Sequence, residues 1–201
     1  MTKALIVIDV QESFRQQPIW RFTANPDIVD KVNRLVDHAR AQGDLVVWVL
    51  HSEAGSGGLF DPDRGYVQLI DGLTPREGEP RVTKTAHNAF TTTNLAQILT
   101  ERGIRELIVS GIRTEQCCET TARVAADLGY DVTFAVDATT TTPIAHRDAP
   151  QDRTAEELVA DPRTLPAADV IARTEYALAG RFATVSTVDE ITGAAALQPV
   201  G

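Results

Sequence analysis

Short apolar runs alternate along the chain with longer stretches in which apolar residues recur at helical spacing. The first run, ALIVIDV at 4–10, is almost continuously apolar and β-branched, as is typical of a strand buried on both faces of a parallel sheet. In the segment 26–42 the apolar side chains share one helical face, and Pro26 and Gly43 suit its start and its end. Further strands are predicted at 45–50, 81–85, 106–110, 132–136 and 183–187, and further helices at 93–102, 117–128 and 167–178.

This alternation predicts an α/β fold that is Rossmann-like, with three α-β-α layers around a mainly parallel sheet of about six strands. Residues 53–78 and 139–166 interrupt the pattern with glycine, proline and polar residues, and we predict that both segments are irregular. A chain of 201 residues is expected to form a single domain that spans 1–201.

The charge balance narrows the range of partners. The formal net charge is −9 at pH 7, and no basic patch or stripe is visible, so nucleic acid is not an expected partner. No apolar run reaches the length of a membrane span, and the first run ends at Asp9 without the cleavage site of a secretion signal. These features predict a cytoplasmic protein that binds a small molecule and no membrane.

Polar side chains are predicted to gather at one edge of the sheet, because ligands of such folds bind beyond the carboxyl ends of the strands. The predicted strands end at Asp9 and Gln11, at His51, at Lys84, at the segment that leads into the cysteines, and at Asp137. A carboxylate, an ammonium and a thiol are therefore expected to meet. Each residue alone also has a structural explanation. The carboxylate of Asp9 could cap a turn, Lys84 could be a surface charge, and the cysteine could be a small core residue.

The two cysteines of the chain, Cys117 and Cys118, are adjacent. A disulfide between neighbours would constrain little of the unfolded chain, so both are expected to be thiols. A thiol attacks a carbonyl as its thiolate, yet its pKa is ordinarily about 8.5. The sequence offers three sources of activation: the start of a helix, the ammonium of Lys84, which would lower the pKa, and the carboxylate of Asp9 as general base.

Three segments, IVIDVQ, TKTAHNAF and SGIRTEQCCETTARVAADLGYDVTFAVDAT, resemble the isochorismatase-like cysteine hydrolase superfamily. The likeness extends from residue 4 to about residue 193, and its most specific part is G-x-x-T-x-x-C-x-x-x-T-A, which begins at Gly111. The resemblance implies that Cys117 is the nucleophile, that Asp9 and Lys84 are its catalytic partners, and that Cys118 is a core thiol.

The same resemblance implies three further features. A cis peptide bond is expected between Ile112 and Arg113, and the backbone amides of Arg113 and Cys117 are expected to form an oxyanion hole. The family also implies assembly as a homodimer or homotetramer.

Departures from the family pattern narrow the expected activity. Nicotinamidase-like members hold a metal through an Asp-x-His motif after the second strand, but here Val49 stands two residues before His51, and the next histidine is His87. We therefore expect no metal and no other cofactor. Isochorismatase itself has no nucleophilic cysteine. Cys117 thus favours a metal-independent amidohydrolase that cleaves an amide- or ureido-type C–N bond through a thioester.

Two other functions stay open at this point. One is an isochorismatase-type hydrolysis of a vinyl ether, in which Asp9 and Lys84 transfer protons without a covalent intermediate. The other is a binding or assembly module that keeps the fold but has no activity. A depressed pKa of the Cys117 thiol would argue against the module.

Candidates for substrate binding follow from their proximity to the predicted strand ends. They are Gln11, Phe14, Trp20, His51, Phe60, Phe90 and Arg113. The aromatic residues among them are equally plausible as core. Arg113 is unusual at its position, and its guanidinium either binds a carboxylate of the substrate or points to solvent. The sequence does not distinguish ureido, amide and lactam substrates.

Overall fold

A sheet of parallel strands forms the centre of the computed structural model, which describes residues 2–194. Its six strands have the order β3-β2-β1-β4-β5-β6, and every neighbouring pair is parallel. The strands are β1 (Ala4–Ile8), β2 (Leu45–His51), β3 (Arg81–Lys84), β4 (Glu106–Ile112), β5 (Asp131–Thr140) and β6 (Thr184–Ser186). The predicted α/β class, the three layers and the parallel sheet are confirmed.

Helices cover both faces of this sheet. They are α1 (Glu12–Arg15), α2 (Ile28–Gln42), α3 (Leu95–Glu101), α4 (Glu119–Asp127), α5 (Ala155–Ala160), α6 (Ala167–Leu178) and α7 (Val188–Thr192). Helices α3, α4 and α6 contribute to the core on one face, and α2 and α7 contribute to the core on the other. No helix in residues 2–194 has both the length and the hydrophobicity needed to cross a membrane.

The continuous apolar run of β1 reflects its position in the middle of the sheet. Ala4, Ile6 and Ile8 pack into the core beneath α3 and α4, whereas Leu5 and Val7 pack into the core beneath α2. Both faces of the strand are fully buried. Polar residues at every second position, which are typical of a half-exposed strand, would therefore be buried here.

Three short helices were not predicted. Helix α5 buries none of its residues and α7 buries only Val188, so neither carries the apolar stripe on which a helical prediction depends. Each is started instead by a capping box, through Thr154 and Thr187. The four-residue helix α1 is too short to show a period. The segment 139–166 is therefore less irregular than the sequence suggested.

The helix predicted from residue 117 begins later than expected. Residues Thr114–Cys118 form a wide π-type turn, and the α-helix starts at Glu119. The N–H groups of Gln116 and Cys118 both donate to the carbonyl oxygen of Arg113, at 3.2 and 3.1 Å. The nucleophile candidate consequently lies in a wide turn ahead of α4 rather than in the first turn of an α-helix.

Gly111 allows β4 to lie against β1 at the point where the chain turns toward the cysteines. Its φ is +131°, and a Cβ built on it would lie 1.9 Å from the carbonyl oxygen of Ile8. No residue with a side chain fits this position without displacing β1.

We predict that Gly111→Ala lowers the free energy of unfolding by about 3 kcal/mol or more, because the methyl group overlaps backbone and the φ is unfavourable for an L-residue. The measurement is urea unfolding followed by circular dichroism. Gly103→Ala is the matched control, since Gly103 also has a positive φ, +63°, but a Cβ there meets nothing within 4 Å. Equal losses in the two variants would contradict the steric explanation.

Candidate active site

Three predicted residues meet at the carboxyl end of the sheet. Asp9 follows β1, Lys84 ends β3 and Cys117 lies in the turn after β4. The Lys84 ammonium lies 2.7 Å from the Asp9 carboxylate and 3.4 Å from the Cys117 sulfur. Asp9 and Lys84 are 0% exposed and Cys117 is 7% exposed. The geometry thus brings together the carboxylate, the ammonium and the thiol that the strand ends pointed to.

Asp9 does not act as a turn cap. It has a left-handed backbone, with a φ of +53°, and its own N–H donates to the carbonyl oxygen of Val49 at 2.8 Å. Neither carboxylate oxygen accepts a backbone N–H among residues 2–194. The carboxylate instead faces Lys84, so the structural explanation of Asp9 as a cap fails.

His51 supplies a third contact to the Lys84 ammonium. The two residues are neighbours in the register of β2 and β3, and Nζ of Lys84 lies 3.3 Å from Nδ1 of His51. Nε2 of His51 lies 3.3 Å from a carboxylate oxygen of Glu53. An ammonium only donates, so Nδ1 of His51 is the acceptor in its contact with Lys84.

Burial dominates the protonation of the site. It raises the pKa of Asp9 above the ordinary value of 3.8, against the attraction of Lys84. Burial, followed by the charge of Asp9, raises the pKa of the Cys117 thiol to about 12, although Lys84 acts to lower it. Lys84 lowers the pKa of the Cys117 thiol, as expected, but desolvation and the charge of Asp9 outweigh it, so the net shift is upward.

The raised pKa of Cys117 changes what its rate of alkylation can show about activity. At neutral pH Cys117 rests as a thiol, so slow alkylation is expected of the site itself and does not argue for an inactive module. Cys118 is fully buried, and burial raises its pKa well above the usual range. It faces the core beneath α3 and α4, as expected for a core thiol.

A cavity of about 410 Å³ opens above Cys117. It is lined by Asp9, Phe14, Gln17, His51, Glu53, Phe60, Thr85, His87, Arg113, Gln116 and Cys117. A larger hollow of about 570 Å³ lies near the amino ends of β4 and β5 and is lined by residues such as Lys3 and Glu106. That hollow contains neither of the cysteines nor Asp9 and Lys84, so the cavity above Cys117 is the candidate substrate site.

Four of the predicted substrate-binding residues line this cavity, namely Phe14, His51, Phe60 and Arg113. The two phenylalanine rings meet edge to face, with their centroids 5.0 Å apart. Their rings form an apolar wall opposite the polar floor of Asp9 and Cys117.

The other three predicted residues do not line the cavity. Gln11 is fully buried and ties β1 to β2, since it donates to the His51 carbonyl oxygen and accepts from the His51 N–H at 2.7 Å. Trp20 packs against the core on the α2 face. Phe90 stacks on Tyr130, at 5.7 Å between ring centroids, in the opposite core. These three side chains stabilise the framework instead.

Five lining residues were missed in the sequence. They are Gln17, Glu53, Thr85, His87 and Gln116. Thr85 and Gln116 adjoin Lys84 and Cys117, so their proximity to the catalytic candidates was a usable signal. Gln17 carries no such signal, because only the path of residues 12–24 brings it to the cavity. No group of three or more metal-ligating side chains with suitable geometry occurs in residues 2–194.

Arg113 points into the cavity rather than outward. Its Nη2 donates to Gln17 Oε1 at 2.7 Å and its Nη1 donates to the hydroxyl of Thr142. The guanidinium carbon lies 5.5 Å from the centroid of the Phe14 ring. The peptide bond that joins Ile112 to Arg113 is cis.

The fold and the cluster at the strand ends define the class of protein: a parallel α/β protein with a carboxylate, an ammonium and a thiol at the carboxyl end of its sheet. The sequence matches the model of the isochorismatase domain over residues 3–166. The chain therefore belongs to the isochorismatase family, as the resemblance of its motifs predicted.

Several relatives support this assignment. YddQ of Bacillus subtilis, an uncharacterized isochorismatase family protein, is 30% identical over 190 residues, which cover 94% of this chain and 98% of YddQ. The ureidoacrylate amidohydrolase RutB of Klebsiella pneumoniae is 32% identical over 170 residues, 68% of this chain and 72% of RutB. The streptothricin hydrolase of Streptomyces noursei is 32% identical over 198 residues, 98% of this chain and 73% of that enzyme.

A solved structure agrees with these relatives. An isochorismatase from Pseudomonas putida superposes with a TM-score of 0.79 at 33% identity, and the match covers 94% of this chain and 89% of that one. The framework that carries the candidate active site is therefore common to the family.

The buried thiols predict that the protein loses stability at alkaline pH. Both thiols have a higher pKa in the folded protein than in the unfolded chain, so the folded state keeps protons that the unfolded chain releases above about pH 8.5. Each thiol should then lower the free energy of unfolding by up to about 1.4 kcal/mol per pH unit. Urea unfolding between pH 8 and pH 10 measures this loss.

Cys118→Ala is the control for this effect, because it removes one of the two buried thiols and leaves the lysines and tyrosines unchanged. The variant should show a shallower alkaline loss than the parent protein. Parallel pH dependences would mean that Cys118 ionises in the folded state as it does in the unfolded chain.

Proposed function

We propose that the chain is a metal-independent cysteine amidohydrolase, which cleaves a C–N bond of a small amide- or ureide-type molecule through a thioester on Cys117. The observation that carries the proposal is the position of the Lys84 ammonium, which touches both the Asp9 carboxylate and the Cys117 sulfur. The name of one relative, ureidoacrylate amidohydrolase, describes a reaction of the same class.

Acylation begins with a proton transfer. Asp9 takes the proton of the Cys117 thiol as the sulfur attacks the carbonyl carbon of the substrate. Because the pKa of the thiol is raised to about 12, the thiolate forms in step with the attack rather than before it. Lys84 stabilises the negative charge on sulfur while it exists, and the raised pKa of Asp9 makes its carboxylate a better base than an exposed aspartate.

The tetrahedral intermediate carries its negative charge on the former carbonyl oxygen. We assign the backbone N–H groups of Arg113 and Cys117 to this oxygen, as donors of an oxyanion hole. The C–N bond then breaks, and protonated Asp9 gives its proton to the departing nitrogen. The acyl group remains on Cys117 as a thioester.

Deacylation returns the enzyme to its first state. A water molecule replaces the amine, and Asp9 takes one of its protons as the oxygen attacks the thioester. When the C–S bond breaks, Asp9 returns that proton to the sulfur. The product is a carboxylic acid or a carbamic acid, and no step requires an oxidant or a metal.

Cys117→Ala is predicted to lower kcat by at least about a thousandfold, since only the binding and oxyanion contributions remain, while circular dichroism stays unchanged. The measurement is hydrolysis of a panel of small amides, ureides and lactams. Intact-mass spectrometry of acid-quenched wild-type protein should show an acyl adduct that Cys117→Ala lacks. Undiminished turnover by Cys117→Ala would favour the non-covalent, vinyl-ether type of chemistry, and no turnover by the wild type would favour a binding module.

His51 is predicted to act as a positioning residue for Lys84. His51→Leu removes one acceptor of the ammonium and should lower kcat about 10- to 100-fold, the usual value of a hydrogen bond to a charged group. His51→Asn offers an amide oxygen in place of Nδ1 and should restore part of kcat. Because both variants change the cavity wall, KM should move alike in the two, so the difference between them lies in kcat.

Glu53→Gln is the control for this experiment. It keeps a hydrogen-bond acceptor beside Nε2 and leaves Nδ1 facing Lys84, so kcat should change only a few-fold. If His51→Asn is as slow as His51→Leu, the contact between Nδ1 and Lys84 does not position the ammonium.

A further inference from the structure

The guanidinium of Arg113 faces the cavity without an acidic partner. No carboxylate oxygen within residues 2–194 lies within the ion-pair distance of 4.0 Å from it. Its two hydrogen bonds go to an amide oxygen, that of Gln17, and to a hydroxyl, that of Thr142. Since an arginine has five N–H donors, these neutral contacts leave donors free toward the cavity.

Other arginines with little exposed side chain are paired with acids. Arg40 makes two hydrogen bonds to the carboxylate of Glu79, and its side chain is 16% exposed. Arg153, at 9% exposed, pairs with Asp161. Arg113 departs from this pattern, although partial burial of a cation without an anion carries a cost in stability.

The electrostatics of Arg113 agree with a cation that lacks a partner. Burial lowers its pKa below the usual range, and the charges of Glu115 and Cys117 act against that shift without cancelling it. A structural role does not require the charge, because Gln17 and Thr142 would also bond to a neutral amide. Within residues 2–194 the charge has a cation–π contact with Phe14 and the influence of Glu115, but no ion-pair partner.

Arg113 and the candidate nucleophile, Cys117, line the same cavity. Arg113 lies four residues before Cys117 in the sequence. Asp9 and Lys84 pair with each other, and Glu53 is at the rim with half of its side chain exposed. Within residues 2–194, the lining of the cavity therefore combines the Cys117 sulfur with an arginine that has no ion-pair partner.

We propose that Arg113 binds a carboxylate of the substrate, so that the substrate is a small amide or ureide that also carries a carboxylate group. The fork of the guanidinium holds the carboxylate, as it does in bidentate ion pairs, while the scissile carbonyl lies over Cys117. This inference rests on the proposed hydrolase function and adds the class of substrate to it.

Paired alkylating reagents test the proposal without knowledge of the natural substrate. Iodoacetate and 3-bromopropionate carry a carboxylate, and iodoacetamide and 3-bromopropionamide are their neutral counterparts of nearly equal shape. In the wild type, at least one of the two carboxylates should modify Cys117 with saturation kinetics, and its neutral counterpart should not. Modification is followed by intact-mass and peptide-mass spectrometry.

Arg113→Gln should lower the ratio of carboxylate to carboxamide rate constants at least tenfold, and Arg113→Lys should retain part of the ratio because it keeps the charge without the fork. Arg15→Gln is the matched control, since it removes an arginine of α1 that pairs with Glu12 and does not line the cavity. A ratio that is the same in all four proteins overturns the proposal.

A competition experiment with the wild type alone covers the case in which Arg113→Gln does not fold. Propionate, at matched ionic strength, should slow the modification of Cys117 by iodoacetamide, and propionamide should not. Equal protection by the two compounds overturns the proposal.

These experiments distinguish a failure of the carboxylate site at Arg113 from a failure of the proposed hydrolase function. If Cys117 forms an acyl adduct with neutral amides and Arg113→Gln has no effect, the hydrolase stands and the carboxylate site falls. If the carboxylate preference depends on Arg113 but no acyl adduct forms with any amide or ureide, the anion site stands and the hydrolase falls.

Discussion

The interaction on which the site depends is the bridge that Lys84 makes between a carboxylate and a thiol, both largely buried in the lining of the cavity. Its ammonium has three N–H donors, and three acceptors surround it: Asp9 at 2.7 Å, His51 at 3.3 Å and Cys117 at 3.4 Å. A buried ion pair is seldom a net source of stability, because desolvation opposes the Coulomb attraction. Its presence at the end of an otherwise apolar strand is therefore better explained by chemistry than by folding.

The sheet order determines that this bridge can form. Lys84 ends the edge strand β3, and Asp9 follows β1, two strands away, with β2 between them. A long, flexible side chain is needed to cross β2, and the left-handed backbone at Asp9 turns its carboxylate out of the ladder toward the ammonium. On the other side of β1, Gly111 removes the side chain that would hold β4 away. Lys84 and Asp9 thus bring their charged groups together across β2, and Gly111 lets β4 lie close to β1.

Sequence patterns were sufficient for the framework and for the meeting of the three candidate catalytic residues. The apolar runs are strands because they are buried on both faces, and parallel strands place their carboxyl ends at one edge, so Asp9, Lys84 and Cys117 could be predicted to meet. The failures have a different physical origin. Gln11 and Phe90 lie three and six residues beyond the ends of β1 and β3, where the direction of a side chain depends on loop geometry that no periodicity encodes. The partners of Arg113, Gln17 and Thr142, are 96 and 29 residues away from it in sequence, and only tertiary structure brings them together.

The two cations of the site differ in what their surroundings leave free. Lys84 has no exposed surface, and its ammonium forms an ion pair with Asp9 and hydrogen bonds with His51 and Cys117, so its contacts lie within the protein. Its charge opposes the rise that burial and Asp9 impose on the pKa of the Cys117 thiol. Arg113 is held by neutral partners, which fix its direction but do not use up its charge. Lys84 therefore interacts with the candidate nucleophile, whereas Arg113 keeps a charge that no ion pair in residues 2–194 neutralises. Under the proposed function, the place of Arg113 in the lining of the same cavity, four residues before Cys117, would link recognition of a substrate to attack upon it.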